Sequence, residues 1–323
     1  MMKSTDFAQL KRHLTELQPR QRHELLILLQ QPDFFPELIA RLEELTASHP
    51  TCPHCHDDAP YKWGSMNSRQ RYRCRACKKT FNSLTGTPLS RLRMAERWLV
   101  YAEQMMASMT LRNAAKQCQI NLGTSFRWRH RFLQLVDYLK SSELGGIIEA
   151  DETMIRESFK GKRKLSQREP HRRGNDKKNV KWVKVMVLRD RNHNEADFVM
   201  KRFTLRKLER CLLPRLRPGA VLCSDGHLNY EALAAKHHLL HKPVNSSVGQ
   251  RVREEVFHIQ GVNAYHSRLK QWMLRFHGVA TKYLHRYLGW FRWFEQTRKS
   301  DAQPIDFIWQ CAVQPRFQQL KRT

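Results

Sequence analysis

Four thiols and two carboxylates carry the chemistry that this sequence offers. Cys52, Cys55, Cys74 and Cys77 form C-x2-C, an 18-residue gap and a second C-x2-C within CPHCHDDAPYKWGSMNSRQRYRCRACKKTF. Each pair lets two thiolates reach one ion, and four thiolates complete a closed tetrahedral zinc site that holds together a segment too short for its own core. Four unrelated cytosolic thiols are the competing reading. Asp151, in GGIIEADETMI, and Asp225, in AVLCSDGH, each follow apolar residues and precede polar ones, as acids near strand ends do. If those strands are neighbours, both carboxylates converge at one sheet edge, where their repulsion is relieved by a proton or a cation. A divalent cation is the economical partner in a basic chain, and magnesium (or manganese) favours oxygen ligands while keeping waters for a phosphate substrate. Ordinary turn acids are the alternative, since SDG is also a common turn.

A third polar ligand is expected from HIQGVNAYHSRLKQWML. Asn263 and Lys270 are seven residues apart and share one helical face, with His266 between them. Asn263 can bring a neutral oxygen to a metal and Lys270 can position a phosphate; an amphipathic packing helix is the alternative.

These residues need a scaffold, and the pattern around them supplies one. GGIIEADETMI, VKWVKVMVLRD and ADFVMKRFT are three β-rich runs, followed by a helix at about 205–213 and AVLCSDGH as a fourth strand. A helix at about 229–236, HKPV as a fifth strand and helices at 258–276 and 280–296 complete an α/β unit with a mixed sheet. In the last helix, Tyr283, Leu284, Tyr287, Leu288, Phe291 and Phe294 have core spacing, and packing is favoured over base stacking.

Upstream, LRNAAKQCQINLGTSFRWRHRFLQLV has the layout of a helix-turn-helix. A first helix at 111–120, a turn in which Gly123 takes positive φ, and Thr124 or Ser125 as cap of the second helix are expected. Arg127, Arg129, His130 and Arg131 would then meet DNA while Phe126, Phe132 and Leu133 face the core. A plain helical hairpin with a solvated basic face is the alternative. In the cysteine segment, Tyr61, Trp63, Tyr72 and Phe81 are the expected core, and Arg69, Arg71, Arg73, Arg75, Lys78 and Lys79 make a basic surface. Residues 6–47 read as a helical lead-in, with Leu10, Leu14, Leu17, Leu25, Leu26, Leu28 and Leu29 interrupted by Pro19, Pro32 and Pro36. The basic stretches 156–180 and 244–256, the latter with Arg251 and Arg253, read as DNA-ordered arms or as solvated loops.

Composition points the same way. Lys and Arg number 58 against 30 Asp and Glu, a formal charge of +28, and such an excess calls for a polyanionic partner, nucleic acid first. No stretch has the length of a membrane-spanning helix, and MMKSTDFAQL lacks a signal peptide's apolar region, so a cytoplasmic, nucleoid-associated protein is expected. Cys118, Cys211, Cys223 and Cys311 lie among apolar neighbours and read as reduced and structural. The expected units are a helical segment (1–48), a zinc ribbon (49–88), a helix-turn-helix (89–141), a catalytic domain (142–298) and a C-terminal tail (299–323).

The zinc ribbon, FRWRHRFL, IEADET, CSDGH and HIQGVNAYHSRLKQW occur in an order that resembles bacterial insertion-sequence transposases of the DDE type. Within these the chain is similar to the ISXO2-like group, with an N-terminal zinc ribbon and an RNase H-like catalytic domain, over about residues 50–296. The resemblance implies that Asp151 and Asp225 are the first two catalytic acids, that Asn263 stands where most such enzymes have Glu, and that Lys270 matches a lysine seven positions later. It also implies two-metal phosphoryl transfer that cuts the element's ends and joins a 3′ hydroxyl to target DNA, performed by a homodimer or higher oligomer. If Asn263 is not the third ligand, Glu152, Glu254, Glu255 and His258 are the substitutes. A non-catalytic DNA-binding regulator, or a nuclease or junction resolvase sharing the RNase H-like core, are the rival functions.

Overall fold

The computed structural model describes residues 4–19, 21–22, 34–67, 69–136, 140–162, 181–244, 249, 251–298 and 302–313. The leucines at 25–29, most of the basic stretch 156–180 and part of the stretch 244–256 lie outside these. The chain divides into two compact units, residues 1–102 with 304–323, and residues 103–303.

The first unit contains α1 (Ser4–Thr15), α2 (Phe34–Ser48) and an antiparallel sheet in the order β1 (Tyr61–Met66), β2 (Arg69–Arg73), β3 (Thr80–Phe81). So small a ribbon has one dry side. Tyr72 and Phe81 stack there at 5.5 Å and are buried with Cys52 and Cys74. Trp63, expected in this core, is instead 43% exposed on the edge strand β1, with the Arg73 guanidinium 4.6 Å above its ring. Tyr61 is half-buried under Arg75. The expected C-terminal tail contains a helix, α10 (Pro304–Val313), because Phe307, Ile308, Cys311 and Ala312 recur on one face and pack on α2, where Arg41 lies 4.3 Å over Trp309.

The division of the chain falls within α3 (Trp98–Met106). The second unit then opens with α4 (Leu111–Gln117) and α5 (Leu122–Val136). Thr110 caps α4 by accepting from the Asn113 N–H. The connection differs from the expected one. Asn121 Oδ1 accepts the Thr124 N–H at 2.7 Å and so caps α5, Gly123 lies inside its first turn, and the positive φ falls on Gln119 (φ 50°). Asn is as good a cap as Ser and better than Thr, and its use here starts the helix earlier than a Thr124 or Ser125 cap would.

The sheet of this unit has the order β6-β5-β4-β7-β8, from β4 (Ile147–Arg156), β5 (Trp182–Asp190), β6 (Glu195–Met200), β7 (Val221–Ser224) and β8 (Leu240–Pro243). The first three form an antiparallel meander, and β7 and β8 add parallel to the other side of β4. That strand order and mixture of directions is the RNase H-like fold. Strand alternation sorts β4 onto two faces. Ile148 and Ala150 join Met186, Leu188 and Leu222 under α6 (Leu205–Leu212) and α7 (Leu228–His237), which bury Leu208, Leu212, Tyr230 and Leu233. The opposite face of β4, β5 and β6 is covered by α8 (Gln260–Leu274) and α9 (Leu284–Thr297). On α9, Gly289 allows close approach of α5: a Cβ there would meet the Val136 carbonyl oxygen at 2.7 Å. Among the described residues no helix is long and apolar enough to cross a membrane.

Candidate active site

The sheet face beneath α8 and α9 carries a row of acids, Glu149 and Asp151 on β4 and Glu195 and Asp197 on β6. Burying carboxylates at such positions costs several kcal/mol each unless they are paired. Three are paired: Glu149 with Arg191, Glu195 with Arg189 at 3.4 Å, and Asp197 with the fully buried Arg292. Asp151 differs. Among the described residues no Lys or Arg forms an ion pair with it, and His266 Nδ1 stands 3.6 Å from its Oδ2. Burial and the charge of Lys270 push His266 down to about 4, so at neutral pH this imidazole is uncharged. Burial likewise pushes the Asp151 carboxyl up to about 7; a hydrogen bond from the Glu152 backbone opposes the rise, the charges of Asp225 and Glu152 add to it, and Lys270 opposes it.

Asp225 reaches the same place from the neighbouring strand. The parallel register of β4 and β7 ends at Ala150 opposite Ser224, and Asp151 and Asp225 are the next residue on each chain. Adjacent strands lie about 4.8 Å apart. Asp151 is midway along β4, because the pairing with β5 continues to Arg156; it marks the end of the parallel pairing only. The site is therefore at the carboxyl ends of the parallel strands where the sheet order reverses, the place where open α/β sheets bind ligands. Just beyond β7, Asp225 Oδ1 accepts the His227 N–H at 3.1 Å and Gly226 takes φ 80°, a turn that leaves Asp225 half-buried.

On α8, Asn263 and Lys270 are exposed while His266 between them is buried against Asp151. Of the substitute ligands, Glu152 projects to the other sheet face, beside Lys184 (3.7 Å) and Tyr230. Glu254 pairs with Lys242 at 2.7 Å, Glu255 is exposed, and His258 is engaged by Arg191 and Glu149. The donor set left at Asp151 and Asp225 is hard oxygen, and it fits magnesium or manganese.

The four cysteines come together. Among the described residues they are the one group of three or more metal-ligating side chains whose donor atoms lie within 4.8 Å of one another. Cys52 Sγ and Cys77 Sγ are 3.6 Å apart, and Cys55 Sγ and Cys74 Sγ 3.4 Å. Zinc with bonds of about 2.3 Å holds tetrahedral sulfurs about 3.8 Å apart, so the cluster fits zinc. Backbone N–H groups of His54 and Cys77 donate to Cys52 Sγ and Cys74 Sγ, and the residue after each pair, His56 and Lys78, takes positive φ (65° and 60°). Burial pushes the Cys52 thiol up to about 12, the direction that a bound cation reverses.

The candidate DNA contacts are divided. Arg127 and Arg251 are exposed, and Arg71, Arg73 and Arg131 are half-buried. Arg129 is not available: it is fully buried, donates to the Met109 carbonyl at 2.8 Å and lies 4.4 Å over Trp290. Phe126, expected in the core, is 38% exposed at the edge of His130 and Tyr283, whereas Phe132 and Leu133 are buried as expected. Arg191 and Arg292 escaped sequence reasoning, having no local signal. Glu149, which the sequence groups with Asp151 and Glu152 as acids that hold metal, is instead paired with Arg191 and bonded to the Val262 N–H.

Residues 143–295 match the model of the ISXO2-like transposase domain. The matched segment takes in the whole five-stranded sheet, α8 and nearly all of α9, and it is what this chain has in common with the ISXO2-like transposases. The chain is also 26% identical over 274 residues to an uncharacterised protein in the transposable element ISH50 of Halobacterium salinarum, an alignment covering 81% of this chain and 91% of that one. Two solved structures, the Mos1 strand transfer complex and a pre-cleavage Mos1 transpososome, match at 15% and 16% identity with TM-scores of 0.22 and 0.20. Each covers 65% of this chain, with 77% and 78% of the other chain covered. At those scores they carry no weight, and the fold rests on the strand order and register described above.

Proposed function

We propose that the protein binds the ends of an insertion sequence and catalyses divalent-metal-dependent DNA cleavage and strand transfer. The observation that carries this reading is the convergence of Asp151 and Asp225 at the end of the β4–β7 parallel pairing, with no basic side chain forming an ion pair with Asp151. Two divalent ions bound there supply activation of the attacking oxygen and stabilisation of the leaving one. Asp151, Asp225 and the Asn263 amide would hold the ions. Lys270, on the exposed side of α8, would steady a phosphate beside the scissile bond. His266, buried on α8, faces Asp151 at 3.6 Å. Exposed Arg127 and Arg251, with Arg71 and Arg73 on the ribbon, would bind backbone phosphates, and zinc held by Cys52, Cys55, Cys74 and Cys77 would keep the ribbon folded. Joining two ends calls for at least two copies of the chain.

An amide in place of a third carboxylate favours, as the second reading, a DNA-binding regulator without catalysis. One assay separates them. Labelled end-containing duplex is incubated with magnesium or manganese and the wild-type, Asp151→Asn or Asp225→Asn protein. Nicked and joined products from wild type alone, with DNA binding retained in all three, are expected; no product from wild type in either metal would leave the regulator.

A further inference from the structure

The third ligand and the phosphate lysine sit on α8, whereas the two acids sit on the sheet. Their mutual geometry depends on where α8 lies along and around its axis, and each residue of slip moves the helix by about 1.5 Å and 100°. α8 is fixed at both ends to β4 and its extension. At the N-terminus, Glu149 accepts the Val262 N–H at 2.8 Å. The carboxylate approaches so closely that a Cβ on Gly261 would stand 2.9 Å from both its oxygens. Arg191 clasps Glu149, reaches His258 Nδ1 at 3.3 Å and donates to the Val256 carbonyl at 2.9 Å, while Arg189 reaches the Gly261 carbonyl at 3.4 Å. At the C-terminus, Lys160 Nζ donates to the carbonyls of Phe276, His277 and Gly278 at 2.9, 3.2 and 2.9 Å. Ser158 and Thr281 exchange two further hydrogen bonds beside it.

We infer that Glu149 and Arg191 are positioning residues that set the register of α8 on β4, and so hold Asn263 where it can complete a metal site with Asp151 and Asp225. The inference rests on the proposed metal site. Glu149 is the only acid of the buried row that bonds a helix backbone, and it stands one strand pitch from Asp151, so its loss would displace Asn263 without removing a ligand. Groups hydrogen-bonded directly to metal ligands govern affinity by about 10- to 100-fold, and a helix anchor at the residue before Asn263 is expected at the lower end of that range.

The test uses the full chain and manganese. Manganese affinity is measured by electron paramagnetic resonance without DNA, and manganese-dependent nicking is titrated separately, for wild type, Glu149→Gln, Arg191→Met, Arg191→Lys and the Glu149→Gln/Arg191→Met double variant. The expected result is a rise of about tenfold in the manganese needed for half-saturation in Glu149→Gln and Arg191→Met. A smaller rise in Arg191→Lys, no further rise in the double variant, and DNA affinity within about twofold of wild type complete the expectation. Unchanged manganese affinity in Glu149→Gln would overturn the inference. So would an additive double variant, or loss of folding in both Glu149→Gln and Gly261→Ala, either of which would make the cluster a stability element only. Asp151→Asn run alongside separates the two readings. If it too leaves manganese binding intact, the metal site itself is wrong; if it abolishes binding while Glu149→Gln is silent, only the positioning role falls.

Discussion

Glu149 and Asp151 lie two residues apart on one face of β4, and the first is clasped by an arginine while the second faces an uncharged histidine. Asp151 therefore carries an electrostatic debt in the metal-free protein. Its carboxyl is raised from the ordinary 3.8 to about 7, burial being the main cause, so the folded state keeps a proton that the unfolded state has released. Stability contributed by this group is full below about pH 4 and is lost as pH rises towards 7. Asp151→Asn should accordingly make the metal-free protein more stable than wild type at pH 8, by a few kcal/mol at most given about 1.4 kcal/mol per pH unit, with the gap closing near pH 4. Urea unfolding at the two pH values checks this, and millimolar magnesium should stabilise only the wild type. Equal curves at pH 8 would show that Asp151 ionises there without cost.

Arg129 and Arg127 should part company when each is changed to Ala. Arg129 is buried against Trp290 and the Met109 carbonyl, and its removal should cost about 2–4 kcal/mol of stability. Arg127 is exposed, and its removal should leave the melting temperature unchanged while reducing the salt dependence of DNA binding by about one phosphate contact. A DNA-affinity loss in folded Arg129→Ala equal to that of Arg127→Ala would contradict the assignment.

Zinc should be structural and confined to the ribbon. Cys74→Ser is expected to remove one equivalent of metal by elemental analysis and to lower DNA-end affinity, while nicking of a pre-bound substrate at high protein concentration persists. Unchanged metal content would refute the four-cysteine site.

Gly289→Ala should strain the α5–α9 contact. Its Cβ would meet the Val136 carbonyl oxygen at 2.7 Å, a backbone atom with little room to yield, and a loss of about 1–3 kcal/mol is expected on thermal or urea unfolding. Stability within about 0.5 kcal/mol of wild type would show that the two helices separate freely.

The sheet was legible because its signals are local. Alternating apolar runs gave β4 to β8, and apolar-to-polar transitions marked Asp151 and Asp225 as neighbours once β4 and β7 paired. The cysteine spacing needed no tertiary information at all. What the residues alone did not reveal are relationships across the fold. Arg129 has the same sequence surroundings as Arg127, yet Trp290, more than a hundred residues away, decides that only the first is buried. Trp63 carries a core residue's side chain but sits on an edge strand whose ribbon is too small to have two dry faces. The cap of α5 was misplaced because Asn121, Thr124 and Ser125 all suit the position and only the bonded geometry chooses among them. The division of labour among Glu149, Asp151 and Glu152 depends on which face each occupies and which arginine arrives from another strand.

The packing of α5 on α9 bears on how such elements can diverge. Val136 at the end of α5 offers its carbonyl to Arg292, which in turn neutralises Asp197 inside the sheet. A fragment cut at residue 143 would take the Val136 carbonyl from that guanidinium and lift Arg129 off the ring of Trp290, so the helical pair upstream is a wall of the second unit's core. A wholesale exchange of this pair between related chains would therefore disturb the buried pair of Arg292 and Asp197 on the sheet. Under the DNA-binding role proposed above, new end preferences would arise by changes on the outer surface of α5, one side chain at a time.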